Sequence, residues 1–365
     1  MNFKFVCFNI LFLVCNISFA QTRIVDIDDN APIPFIHVIS DKGIIVGTSN
    51  IDGMIDLKSI SAVTGKVNGS VSFHHISYQS KEIKMENLIK SDTIKLTKNN
   101  FMIPEIVITD KSLKPVYLLL KGFYRSYQIE NGIPKYYTDG IVEYYISKNQ
   151  LKNRIIQHRT FRNNKLVDAE KKRNIMVSMV VAGTPYINPK TEIDELNKDY
   201  SFERLDDKLL IKKMDSIVGL ISHDKQSNLV QVNIDLIAPE KEIVGSIFNY
   251  TSKRTIIDIT ENYSSTDITN LVKDDLLNRK EYRKIFFKHK KDKNFVEIDV
   301  LHEFYVFDKQ YLYKSDLKGV DLSPNFGLKE SSNYTDEYWN ELQKHNIPKL
   351  PEQIENLLGK ILEKY

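Results

Sequence analysis

Cysteine is scarce in this chain, with two among 365 residues, Cys7 and Cys15, both in the first twenty. Those twenty, MNFKFVCFNILFLVCNISFA, set Lys4 ahead of an apolar run from about Phe5 to Val14, then small Ser18 and Ala20 before Gln21. This layout predicts a secretory signal peptide over residues 1–20, cleaved after Ala20. The apolar run falls short of the roughly 20 residues that span a bilayer. Once it is removed the chain holds no thiol, which excludes disulfides, thiolate nucleophiles and cysteine metal sites. Cys15 follows Phe12, Leu13 and Val14 instead of a small residue, so lipid attachment is not expected there.

Other absences narrow the function. No later apolar run is long enough for a membrane helix, so no transmembrane segment is expected after signal removal. An excess of one charge is missing: 51 Lys and Arg stand against 48 Asp and Glu. That balance argues against nucleic acid as a partner. The chain has no Gly-x-Ser-x-Gly elbow, phosphate loop or dinucleotide fingerprint. His302 and Glu303 in VLHEFYVF open the metalloprotease pattern, but Val306 stands where the second histidine is needed. The alternation around them reads as a strand carrying an edge histidine. Asp206 with Asp207, and Asp274 with Asp275, read as solvated surface, because sequence neighbours cannot flank a glycosidic bond. No catalytic, cofactor-binding or metal-ligating residue is therefore assigned, and no cofactor is expected.

What is present is ordinary globular composition, 42% hydrophobic and 27% charged. The roughly 345 residues left after cleavage exceed one usual domain, so two are expected. From Thr22 to about Thr109 short segments alternate between turns: TRIVDI, FIHVIS, GIIVG, GMIDL, SVSFHHI, TIKLT and EIVIT. Short strands at close spacing predict a β-sandwich. DIDDNAPIP is a tight turn stiffened by Pro32 and Pro34; Asp26, Asp28 and Asn30 lack the glycine and glutamate of a calcium loop. In SNIDGMI, Asn50, Asp52 and Gly53 form a second turn.

The series IVDIDDNAPIPFIHVIS, GTSNIDGMIDL, VSFHHISYQSKEI, DTIKLT and EIVIT resembles the carboxypeptidase regulatory-like domain. The resemblance covers about a quarter of the chain and implies a seven-stranded prealbumin-like sandwich over residues 21–110. It also implies an envelope protein of Gram-negative bacteria, and no particular activity. Ser77 departs from the family, which often has glycine before the tyrosine.

Asp110 to Pro115 reads as a joint. Beyond it, Val116, Leu120, Phe123 and Tyr127 at helical spacing predict a helix. Residues 136–315 return to long polar-aromatic alternation, which predicts a large antiparallel sheet, curved or partly closed. The plentiful Lys and Arg would blunt its exposed edges. Arg279 to Lys293, RKEYRKIFFKHKKDK, is the strongest charge cluster. It reads as a strand entering a basic hairpin loop, with binding of anionic phosphates through Lys288, Lys290 and Lys291 as the sharper alternative. A C-terminal helix opened by Pro351 would pack Ile354, Leu357, Leu358, Ile361, Leu362 and Tyr365 over the sheet. Residues 111–365 are thus expected to be a β-rich domain with N- and C-terminal helices. The whole is mainly β with a few helices, an α+β class.

The cluster VSFHHISYQS, Val71 to Ser80, looks catalytic at first sight. On a strand, successive side chains face opposite sides. His75 then edges the sandwich core and His74 is exposed, so replacing His74 by Ala is expected to cost little. Three functions remain. The first is an exported noncatalytic envelope protein that binds an envelope protein or lipid, in the periplasm, the outer membrane or at the cell surface. The second is a half-barrel carrier or sensor of an apolar ligand. The third is a hydrolase assembled from distant bases among His158, His223, His289 and His302. An outer-membrane transporter is set aside, since about 255 residues follow the first module, too few for a plug and a large barrel.

Overall fold

The computed structural model describes residues 21–64, 69–107, 114–148, 150–172, 180–196, 199–318, 322 and 324–365. The expected signal peptide and most of the expected joint at 110–115 lie outside the described residues. The molecule is mainly β. Strands β1 (Gln21–Asp26), β2 (His37–Ser40), β3 (Ile45–Thr48), β4 (Met54–Asp56), β5 (Ser70–His75), β6 (Tyr78–Lys84) and β7 (Thr93–Leu96) come first. They form two sheets, ordered β4-β1-β7 and β3-β2-β5-β6. Helices α1 (Leu57–Thr64) and α2 (Met85–Leu88) close their ends. Ile24, Val38, Val71, Phe73 and Leu96 fill the space between the sheets.

Side chains fix the turns of this sandwich. Asp26 Oδ1 accepts from the amide of Asp28 and Asp29 Oδ1 from that of Ala31, each at 2.8 Å, and Asn30 takes φ 57°. The segment is a turn, as its sequence predicts. Gly53 has φ 72°, and a Cβ there would meet the Ile24 carbonyl at 2.5 Å, so only glycine fits. Two strand assignments are corrected. YQSKEIK (β6) supplies a sandwich strand, and the described part of EIVIT lies elsewhere: Ile106–Val107 (β8) pairs in parallel with a strand of the second sheet.

That sheet has thirteen strands among the described residues. They are β8, β9 (Tyr117–Glu130), β10 (Ile133–Ser147), β11 (Gln150–Arg162), β12 (Tyr200–Leu205), β13 (Lys208–Lys213), β14 (Ser216–Asp224), β15 (Leu229–Asp235), β16 (Ile243–Ile247), β17 (Tyr250–Tyr263), β18 (Leu276–His289), β19 (Val296–Leu312) and β20 (Glu363–Lys364). The main path runs β12-β13-β14-β15-β17-β18-β19-β9-β10-β11-β20, with β16 on β17 and β8 on β19. Apart from the parallel β8 contact, neighbours pair antiparallel.

The predicted helix after Pro115 is corrected to strand β9. Its Leu118, Leu120 and Tyr124 enter the core on one face, while Leu119, Phe123 and Tyr127 are buried on the other. A strand buried on both faces loses its polar alternation, and its apolar residues then match a helical stripe by accident. The C-terminal helix is also corrected: only the single turn α5 (Glu352–Glu355) is helical, and Gly359 at φ 76° follows it. Ile354, Leu357 and Leu362 nevertheless pack on the sheet, against Tyr127, Phe161 and Tyr282.

The two faces of the sheet have different duties. One carries a continuous apolar layer from Ile211 on β13 to Tyr144 on β10, covered by Ile187, Ile268 and Leu271 from loops and by Ile193 from helix α4 (Glu192–Glu195). The other receives the sandwich and the C-terminal tail. Among the described residues no helix is long and apolar enough to cross a membrane.

Candidate functional site

Alternation along β5 sends Phe73 into the sandwich and His74 outward, but outward here means toward the large sheet. His74 is 1% exposed, and its Nε2 lies 2.7 Å from Glu303 Oε1. Arg125 Nε donates to the other Glu303 oxygen, and Arg125 Nη2 donates to the Tyr305 hydroxyl at 3.0 Å. The expectation of an exposed, dispensable His74 is therefore corrected. Burial opposes the charge on Glu303, yet Arg125 and His74 hold its carboxyl well below the usual carboxylate range.

Polar groups continue along the same contact. Lys280 Nζ donates to the Phe35 carbonyl at 2.6 Å, and burial pushes its pKa down to about 8. Asp258 is pushed well up, first by burial and then by the charge of Asp235. The Ser77 amide donates to His75 Nδ1 at 3.1 Å, which leaves the proton of a neutral His75 on Nε2. That nitrogen and His37 Nε2 are buried without a partner among the described residues. Burial lowers the pKa of both rings well below the ordinary value, with the Lys280 charge second.

At the edge of this contact the layers part and leave a cleft of about 480 Å³. Its sandwich wall is the Asp26–Pro32 turn with Ser77, Tyr78 and Gln79; its rim is Thr97–Phe101; its sheet wall comes from β14, β15 and β17. Lys98 Nζ spans the cleft, 3.1 Å from both Asp26 Oδ2 and Asp224 Oδ2. The Tyr78 hydroxyl donates to Asp26 at 3.0 Å, and burial together with that carboxylate raises its pKa, so the phenol stays protonated. Burial opposes the charge on Asp224, but hydrogen bonds from Ser227 and Lys98 prevail and hold its pKa down.

Ser77 is the hub of the deep wall. Its Oγ accepts from Gln231 Nε2 at 2.7 Å and Asn262 Nδ2 at 2.9 Å. Asn262 Nδ2 also donates to Asn278 Oδ1 at 2.6 Å, and Asn233 Nδ2 to Gln231 Oε1 at 2.8 Å. Ser77 therefore joins the sandwich to the sheet, as His74 and Phe35 do through Glu303 and Lys280. Among the described residues the Ser77 hydroxyl contacts amides, so this wall offers fixed hydrogen-bonding groups.

The remaining sequence candidates do not converge. His158 Nε2 meets the Ser331 carbonyl at 2.6 Å on β11, His223 lines the cleft on β14, and His289 ends β18. His302 is not at an edge: β19 is an interior strand and the ring is buried, with burial first lowering its pKa to about 4. Its Nδ1 lies 2.6 Å from Ser126 Oγ, and Glu281 is its cross-strand neighbour on β18, a serine-histidine-glutamate row. Ser126 Oγ donates to the Gly183 carbonyl, so His302 Nδ1 must donate to Ser126. A catalytic base would accept that proton, and Ser126 is 1% exposed. The row ties loop 180–187 to the sheet.

Glu281 instead serves Arg279 and Arg283. Arg279 reaches Glu261 at 2.8 Å and Glu192, on α4 (Glu192–Glu195), at 2.6 Å; α3 (Asn164–Lys172) is the other helix inserted in this half. The basic residues expected at edges are thus partly turned inward into ion pairs. Asp206 and Asp207 are exposed as expected. Asp274 is corrected from solvated surface, since it accepts from the Tyr311 hydroxyl in a part-buried contact. Among the described residues no three His, Cys, Asp or Glu side chains group as metal ligands would. No protein-family model matches the chain, and no curated protein matches its sequence.

Proposed function

We propose that this chain is an exported, noncatalytic protein of the bacterial cell envelope, whose ligand site is the cleft between the N-terminal sandwich and the large sheet. Residues 1–20 direct export, and the sandwich is a carboxypeptidase regulatory-like module. The observation that carries the reading is the cleft itself: about 480 Å³, walled on both sides by amides, hydroxyls and carboxylates held in place by their own hydrogen bonds. Preformed concave sites with a few fixed polar groups are where small ligands bind. Asp26, Asp28, Asp29, Asp207 and Asp224 outweigh Lys98 and Lys208 in the lining. The ligand is accordingly a polar one, polyhydroxylic or cationic, and not an anion.

An apolar carrier is disfavoured, because the apolar face of the sheet is filled by Ile187, Ile268, Leu271 and neighbouring side chains. The test is retention of small molecules from an envelope extract, read by mass spectrometry after gel filtration. Wild type should carry a polar species that Asn99→Trp, on the rim and bulky enough to block entry, does not carry. Equal recovery from both proteins would refute the cleft as the site.

A further inference from the structure

The hairpin joining β16 to β17 turns in two residues, Phe248 and Asn249, between the paired Ile247 and Tyr250. Phe248 is 99% exposed and stands at φ 53°. A left-handed backbone is the province of glycine in such a turn and is a genuine outlier for a bulky side chain. Neither burial nor turn geometry accounts for a phenylalanine here, and backbone strain of this kind collects at working sites. Val244, three residues before Ile247 on the same hairpin, is 54% exposed.

The neighbouring hairpin supplies charge. β17 pairs with β18, and the Lys290 amide donates to the Asn249 carbonyl at 2.8 Å, so the turn between β18 and β19 lies against the Phe248 tip. That turn exposes Lys290, Lys291 and Lys293, none ion-paired among the described residues, with Asp292 as its one acid. Beneath the tip Tyr250 and Phe287 stack with ring centroids 5.1 Å apart, and Phe295 lies between Lys253 and Lys288 at 5.4 and 5.5 Å. Lys253 is already engaged by Glu242.

We propose that the paired tips of the β16–β17 and β18–β19 hairpins dock the protein on an anionic phospholipid bilayer, with Phe248 inserted among the acyl chains and Lys290, Lys291 and Lys293 on the lipid phosphates. A protein partner would need well over 1,000 Å² of matched surface, which one ring with a lysine rim does not provide. A bilayer takes an isolated ring without a shaped pocket, and its phosphates complement the lysines. The docking is independent of what the cleft binds.

The experiment is co-sedimentation of the purified protein with vesicles of phosphatidylcholine alone and of phosphatidylcholine with phosphatidylglycerol. Wild type should bind the anionic vesicles, and bind more weakly as salt rises. Replacing Lys290, Lys291 and Lys293 together by Ser should weaken binding about a hundredfold, near fivefold for each lysine. Phe248→Gly should weaken it about tenfold or more while leaving the melting temperature unchanged or raised, because glycine relieves the strained φ. Binding equal to both vesicle types, no binding to either, or Phe248→Gly binding like wild type would each overturn the proposal.

Discussion

Glu303 accepts from Arg125 on its own sheet and contacts His74 from the opposite layer, and all three are buried. Removing one member of such a group leaves a desolvated carboxylate short of a partner, which costs about 3–5 kcal/mol. His74→Ala should therefore lower the unfolding free energy by about that much in a urea titration, whereas an exposed histidine would cost under about 0.5 kcal/mol. A pH dependence follows at His302. Its folded pKa of about 4 lies below the ordinary value of 6.5, so below pH 6.5 the unfolded chain takes up a proton that the folded chain refuses. Stability from this group is complete above pH 6.5 and is lost as pH falls toward 4. His302→Asn keeps a donor for Ser126 but does not titrate. Its stability deficit relative to wild type should shrink by about 2 kcal/mol between pH 7 and pH 5, measured by paired denaturant titrations. An unchanged deficit would show that the imidazole is free to protonate in the fold.

Among the elements, β9 and β10 test the sheet most directly. They meet at Asn131 and Gly132, both at positive φ, in the two-residue turn that suits the right-handed twist of a hairpin. A Cβ on Gly132 meets nothing within 4 Å, while one on Gly122 in β9 would meet the Tyr305 carbonyl at 2.1 Å and the Phe304 ring at 2.6 Å. Gly132→Ala should cost about 1 kcal/mol through backbone strain alone. Gly122→Ala should cost about 3 kcal/mol or more through the clash with β19; thermal melts of the two variants would reverse the assignment if their order were reversed. This hairpin also shows what could be read in advance. The Asn-Gly pair in ENGIPKYY was a strand signal in plain view, but the apolar spacing of the preceding fourteen residues favoured a helix. Local pattern recovers strands with one wet face, such as β7, where Ile94 and Leu96 are buried while Thr93 and Lys95 are exposed. It fails for β9, which is dry on both sides, and for the tail, where the helix stops at Glu355 after one turn. The cleft was less legible still, because its walls, Ser77 and Asn262, are 185 residues apart and only tertiary packing joins them.

At the scale of the molecule, the two layers meet through buried charges and amides set beside apolar contacts such as those of Ile39, Ile45 and Ile76 with the sheet. Lys280, Asp258, Glu303, Asn262 and three histidines lie between the sandwich and the sheet, where apolar side chains would have been the simpler filling. A polar contact of this kind fixes one relative placement, since any slip leaves buried donors and acceptors unmatched. The sandwich is thereby clamped near Thr260 to Tyr263, at one end of β17, and the Phe248 tip extends from the other. Twelve residue steps of extended chain run from Tyr250 to Asn262, roughly 40 Å at the usual rise per residue. On the proposed docking the long strands would act as a mast. With its foot on a lipid surface, the cleft would stand clear of the headgroups at a height set by strand length, where soluble molecules pass and the bilayer's own charge is screened out.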